Sequence, residues 1–355
     1  MTFEIRYLDN HFEKEFKEFN TLSNNSLFYH TDKYIDFLES VLEKCEYKCL
    51  MALDNQKIVA SMPFFVKKSP IGAVVNSLPF FGSHGSIISL PGVSDEIKWA
   101  LLTEFDEFCK LNQVLSSTII ENFRDPIHHL LERTNYSYRE QRNGGITKLT
   151  KISENNDIEE TLMLKFHSKT RNAIRKSLKS KVSIKIETSE EVLNELYLMH
   201  VENMEAKNGK TKPKVFFSEI SKHFEKNHDY KIFTARDTDG TLIAALLLFY
   251  CKDFVEYFVP AIRYEYRSDQ VMSGLIFSAM KNALIEGTEI NWNWGGTWDG
   301  QETLRKFKSK WGSEEFVYYY YTKIYGDAEK IRNMKISELE DLFEFFYVMP
   351  YRELK

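Results

Sequence analysis

Apolar residues along this chain recur first at helical spacing and then at strand spacing. Phe12, Phe16 and Phe19, then Tyr34, Ile35, Phe37, Leu38, Val41 and Leu42, return every three to four positions, so two amphipathic helices open the chain. From Tyr47 the period becomes strand-like, with "YKCLMAL", a "DNQ" turn, "KIVASMPFFV" and "AVVNSLPFF" reading as a short antiparallel meander. A helix from Ser94, with Ile97, Leu101, Leu102, Phe105 and Phe108 on one face, leads to the strand "SSTII", a short helix near Ile127 to Leu131 and a β-rich stretch to Thr150.

The second half repeats that order of elements. A basic helix over 162–180 precedes the strand "VSIKIE", a helix capped by Ser189, another over 214–226, and a hairpin turning at Asp239-Gly240. The strand "FVEYFVP", a helix from about Ser268 to Glu286, the strand "EINWNWG", a helix near Glu302 to Trp311 and the strand "FVYYYYTKIY" complete it. The pattern predicts an α/β protein with mixed sheets, one unit used twice: 1–150, 151–325, and a helical extension over 326–355 whose aromatic stripe packs on a domain.

Composition narrows the function classes. A length of 355 residues suits two domains, and 47 Lys plus Arg against 52 Asp plus Glu exclude a whole-molecule binder of DNA or anionic membrane. Cys45, Cys49, Cys109 and Cys251 form no CxxC pair and no zinc spacing with His, and no metal site is expected. The N-terminus lacks the pattern of a signal peptide, and the apolar run over 242–250 is too short to span a bilayer, so a cytoplasmic protein with no more than peripheral membrane contact is expected. GxSxG, Walker, HExxH, HxxxxD and dinucleotide fingerprints are absent, and adjacent His128 and His129 point different ways on a helix.

Two segments stand out. Lys165, Lys169, Arg171, Arg175, Lys176, Lys179, Lys181 and Lys185 lie in a stretch with no acid from Thr161 to Ile186. Such a cluster in a net-acidic protein binds phosphate if it faces one groove, and is otherwise a solvated helix face. On one continuous helix Lys165, Lys169, Asn172 and Lys176 would share a face. The second segment, "INWNWGGTWDGQETLRKFKSKWGSEEFVYYYY", puts Gly295 and Gly296 after a strand and Arg305, Lys306, Lys308 and Lys310 on the next helix, so a backbone turn open to a ligand lies beside cations. Trp292, Trp294, Trp298 and Trp311 suit either a core or a ligand face, and Lys308 is the stronger catalytic candidate.

Together "KFHSKTRNAIRKSLKSKVSIKI" and "NWNWGGTWDGQETLRKFKSKWGSEEFVYYY" resemble the Fem-type (FemAB/FemX-like) peptidoglycan bridge aminoacyltransferases and the related GNAT-fold acyltransferases of polysaccharide biosynthesis loci. Those families share a basic "K..R..I.K..K.GV" segment and a later "G…FK..WG" segment; here Val182 follows Lys181 directly. The resemblance implies tandem GNAT-like acyltransferase domains that move an acyl or aminoacyl group to an amine of a nucleotide-linked or lipid-linked glycan or peptide precursor of the cell envelope. It implies no tightly bound cofactor. The co-substrate is aminoacyl-tRNA, with tRNA then a partner, or acyl-CoA, as in an N-acetyltransferase of an amino sugar. A non-catalytic module that binds RNA or a nucleotide is the alternative of another class.

The resemblance also distributes roles. Lys308 matches the lysine that stabilises developing negative charge. Lys165, Lys169, Arg171, Arg175, Arg267, Trp294, Gly295, Gly296 and Arg305 are expected to bind substrate. A coenzyme A loop needs glycines at a helix N-terminus, and "IRYEYRSDQVMSGLIF" retains only Arg267 and Gly274 at altered spacing. In "NSLPFFGSHGSIIS", Gly82, His84 and Gly85 follow a strand, where His84 suits removal of a proton from an amine, or simply bonds its own loop. Pro79, Phe80 and Phe81 suit a sugar platform or a closed core.

Overall fold

The structure is a computed structural model that describes residues 3–80, 84–151, 157–298 and 300–354. The chain divides into two compact units, Met1–Arg142 with Val317–Lys355, and Asn143–Phe316. The sequence reading separates the halves at 150/151 and sets 326–355 apart; the compact division instead groups 317–355 with the first unit.

The first unit contains β1 (Phe3–Tyr7), α1 (Glu13–Leu22), α2 (Asp32–Val41), β2 (Cys45–Asp54), β3 (Lys57–Ser69), β4 (Gly72–Asn76), the two-residue β5 (Ile88–Ser89), α3 (Asp95–Leu111), β6 (Ser116–Ile120) and α4 (His128–Leu131). Strand β1 is an addition to the expected order: its alternation of Phe3 and Ile5 with Glu4 and Arg6 spans too few residues to stand out from a loop. Asn55 and Gln56 take positive φ values of 51° and 64° between β2 and β3, the backbone of a tight hairpin turn. Helix α3 buries Ile97, Leu101, Leu102, Phe105 and Phe108 against the sheet, as its spacing requires.

Strand β7 (Tyr138–Thr150) leads to α5 (Ile158–Lys165), α6 (Ser168–Leu178), β8 (Ser183–Ile186), α7 (Glu190–Glu205), α8 (Lys214–His223), β9 (Tyr230–Arg236), β10 (Leu242–Cys251), β11 (Phe254–Ile262), α9 (Val271–Glu286), β12 (Glu289–Asn293), α10 (Glu302–Ser309) and β13 (Glu314–Ile324). From β8 onward these follow the order of β1 to β7 with the two-residue β5 set aside: strand, two helices, three strands, helix, strand, helix, strand. Within the first unit the strands run β1-β2-β3-β4-β6-β13, and within the second β8-β9-β10-β11-β12-β7. The closing strands are therefore exchanged. β13, the last strand in sequence, pairs with β6 through Tyr320↔Ile120, and β7, which follows α4, pairs with β12 through Asn293↔Ile146.

The expected C-terminal helix is instead two short ones, α11 (Ala328–Arg332) and α12 (Ile336–Leu342). Phe345 follows at φ +65°, a left-handed conformation that a helix does not propagate. Among the described residues no helix is long and apolar enough to cross a membrane.

Candidate active site

The second unit has a fork in its sheet. Strands β11 and β12 run parallel for three rungs, Phe254↔Asn291, Val255↔Trp292 and Glu256↔Asn293, and then part. β11 continues on β10 alone as far as Ile262. The last rung is tied by its own side chains: Asn293 Nδ2 donates to Glu256 Oε2 at 2.9 Å, both residues being buried. Past the rung, Gly295 turns the chain at φ +70°, a conformation that favours glycine, and its N–H donates to Asn293 Oδ1 at 3.0 Å.

Helix α10 delivers Lys308 to this turn. Its ammonium donates to Gly295 O at 2.8 Å and to Gly296 O at 3.3 Å, and only 6% of the residue is exposed. Burial pushes its pKa down to about 8, partly opposed by Glu315. Two of the three ammonium protons serve the turn, so one remains for a ligand oxygen.

The basic segment meets the same region. It is two helices rather than one, because His167 caps α6 by accepting from Lys169 N at 3.2 Å. This break takes Lys165 off the face shared by Lys169, Asn172 and Lys176. The junction packs on the end of α10: His167 N and Thr170 Oγ1 both donate to Lys310 O, at 2.9 and 3.1 Å, and Phe166 meets Trp311 edge to face at 5.1 Å. The two segments singled out by sequence are thus neighbours. Lys165, Lys169 and Arg175 are exposed, whereas half-buried Arg171 donates to Phe166 O at 2.6 Å and so ties the junction.

Lys176 reaches Ser268 O at 2.9 Å, in the 3-10 turn Tyr264–Asp269 ahead of α9, where Arg267 lies over the Tyr264 ring at 5.0 Å. Gly274, in the first turn of α9, has a different use from the one its sequence position suggests: a Cβ there would stand 2.2 Å from Ser177 Oγ, so the glycine admits α6. Arg305 is held in a two-bond ion pair by Glu315 on the surface, at 3.2 and 2.7 Å.

Two expected ligand contacts are corrected. Trp294 is 3% exposed, its indole N–H donates to Thr147 Oγ1 at 2.9 Å, and Tyr257, Trp292, Phe307 and Trp311 surround it, which makes it core. His84, in the first unit, is fully buried between Tyr29, Phe123 and Tyr318, with Nδ1–H donating to Glu121 O at 3.0 Å. Burial pushes its pKa down to about 4, so it is a neutral core group rather than a base facing an acceptor. Phe81 and Gly82 lie outside the described residues. Since His84 titrates lower in the fold than its ordinary 6.5, the unfolded chain takes up the extra proton between those values, and the stability this group contributes is lost as pH falls from about 6.5 towards 4. Thermal midpoints at pH 7.5 and 5.5 should therefore differ less in His84→Asn than in the native protein.

The corresponding fork of the first unit is filled by its own chain. β4 and β6 are parallel from Val74↔Ser116 to Asn76↔Thr118. Beyond that rung Ser77 Oγ accepts from Ile120 N, Gly85 N donates to Ile120 O, and the Asn76 amide pairs both ways with the backbone of Tyr347.

Sequence reasoning missed Glu256, Asn293 and Asn203. Asn203 binds the open edge of β11, donating to Ile262 O at 2.8 Å and accepting from Ile262 N at 3.2 Å. The signal for Glu256 was present: it is the one acid in the apolar strand "FVEYFVP", buried at 1% exposure.

Residues 165–295 match the family described as acetyltransferase (GNAT) domain. The crystal structure of FemX superimposes with a TM-score of 0.69 over 96% of this chain and 99% of its own, at 15% identity. The chain has a tandem GNAT-like fold. A tandem GNAT protein from the clavulanic acid biosynthesis pathway gives 0.56 at 11% identity, covering 92% of this chain and 100% of that one. L-PGS from Bacillus licheniformis gives 0.51 at 13% identity, over 80% and 84%. No curated protein matches by sequence. The structural likenesses carry the fold, and the domain match carries the enzyme class, a GNAT-type acyltransferase.

Proposed function

We propose that this enzyme transfers an aminoacyl group from aminoacyl-tRNA to a primary amine of a nucleotide-linked or lipid-linked cell-envelope precursor, at the fork of the second unit. The observation that carries the reading is the Lys308 ammonium, buried at the Gly295-Gly296 turn with one donor to spare. The acceptor nitrogen attacks the ester carbonyl and a C–N bond forms. Charge gathers on the carbonyl oxygen, where the free N–H of Lys308 stabilises it. The ester C–O bond then breaks, and the proton lost by the amine ends on the departing hydroxyl of the tRNA ribose.

Three features support this donor over a thioester of coenzyme A. Ile262 pairs with Ala244 as a non-hydrogen-bonded pair, so its N–H faces the open side of β11, and Asn203 already holds it. Two residues back, the same edge position is Pro260, which has no N–H. The space around Gly274 belongs to Ser177. The exposed cations of α5 and α6 suit tRNA phosphates. Likeness to FemX motivates the envelope acceptor. Acetyl-CoA with an amino sugar is the second reading, favoured by the acetyltransferase domain match.

Calorimetry with acetyl-CoA and a transfer assay with charged tRNA and a UDP-linked muropeptide separate the two. The expected result is no heat from acetyl-CoA and formation of an amide-linked product. Micromolar acetyl-CoA binding overturns the donor. In the same assay, Lys169→Ala with Arg175→Ala should lower the slope of log affinity for tRNA against log salt by roughly one to two; an unchanged slope returns both residues to a solvated face.

A further inference from the structure

We propose that Glu256 and Asn293 are positioning residues that hold Lys308 in place through the Gly295 turn; this rests on the reading of Lys308 given above. The Asn293 amide has one orientation that serves both of its partners. Gly295 N is only a donor, so the oxygen of the amide must face it, and the NH2 group must then face Glu256. Glu256 Oε2 accepts from that NH2, so the two partners together hold the amide in that orientation. With the amide locked, the turn presents the Gly295 and Gly296 carbonyls to the Lys308 ammonium. The chain of bonds runs Glu256, Asn293, Gly295, Lys308, with both strands of the fork joined at its first two members. An amide turned over would set its NH2 against the Gly295 N–H and open the turn.

A reciprocal exchange tests this. Asn293→Asp still accepts from Gly295 N but sets a second carboxylate against Glu256. Adding Glu256→Gln restores the pattern in reverse, with the glutamine NH2 donating to one oxygen of the new aspartate and the other oxygen accepting from Gly295. Asn293→Asp should lower kcat by at least about tenfold with the acceptor KM within about twofold, and the double variant should recover to within about threefold of the native rate. A native kcat in the single variant, or a double variant no better than the single, overturns the proposal.

A second readout needs no substrate. The pH dependence of Lys308 acylation by acetic anhydride, followed by mass spectrometry, should have its midpoint near 8 in the native protein. In Asn293→Asp the midpoint should depart by about half a unit or more and return in the double variant. If it does not move, the relay is wrong whatever the enzyme transfers; if it moves while the native protein transfers nothing, the relay stands and the proposed reaction falls. Should Asn293→Asp not fold, Glu256→Ala, which releases the amide without adding charge, is judged by the same midpoint.

Discussion

Lys308→Met should lower the proposed aminoacyl transfer by about a hundredfold or more and leave the protein folded. The rate loss follows from removing the one N–H aimed away from the Gly295-Gly296 turn. Folding should be preserved because Lys308 is a costly residue to bury. Its pKa in the fold is about 8 against an ordinary 10.5, so the unfolded chain holds the extra proton between those values. Native stability accordingly rises as pH climbs through that window, and the full cost of burying the cation is present below pH 8. A methionine of similar length avoids the cost, and the thermal midpoint at pH 7 should match or exceed the native one even though two carbonyls lose a partner. The native rate should also fall above about pH 8, as the ammonium loses the proton that stabilises the oxyanion. A folded Lys308→Met protein at native rate would remove this residue from the reaction.

Trp294→Ala should cost about 3–5 kcal/mol of stability, the usual range for truncating a large buried aromatic. Trp294 has Tyr257 at 5.0 Å, Trp292 and Trp311 at 5.8 Å and Phe307 at 5.9 Å. No rearrangement of one neighbour fills the space of an indole among four rings. Trp294→Phe keeps most of the volume and loses the bond to Thr147, for roughly 1–2 kcal/mol. Urea unfolding with an unchanged m-value checks both. An acceptor KM that rises in Trp294→Phe while stability holds would instead return the ring to the substrate.

The sequence made some of this arrangement plain and hid the rest for physical reasons. The repeated order of elements was legible because apolar spacing reports the local period, and tandem units repeat it. The basic segment and the Gly295 to Trp311 segment were recognisable as a pair, and the contact of His167 and Thr170 with Lys310 joins them. The break between α5 and α6 was not legible, since histidine is an uncommon cap and the flanking residues continue the helical period. Trp294 and His84 show a second limit: spacing places them on the right segments, but whether a ring at a strand end faces a core or a ligand depends on residues brought from β7, α10 and β13. Glu256 could have been found by asking why an acid stands in a buried strand. Asn203 could not, because its partners are backbone groups that any sequence supplies, and neither could Asn293, which meets a backbone N–H and a glutamate 37 residues away in sequence.

The exchange of closing strands governs how this protein can come into being. Thr118 and Thr322 share a hydroxyl hydrogen bond at 2.9 Å across 204 residues of sequence. On a ribosome that delivers the N-terminal half first, the edge of β6 waits bare until the residues of β13 have been made, and a pairing of such long range is slow to form. A nascent first unit is therefore an unfinished sheet with an adhesive margin. Trimming the chain after Phe316 would not remove a dispensable tail; it would return the first unit permanently to that nascent condition.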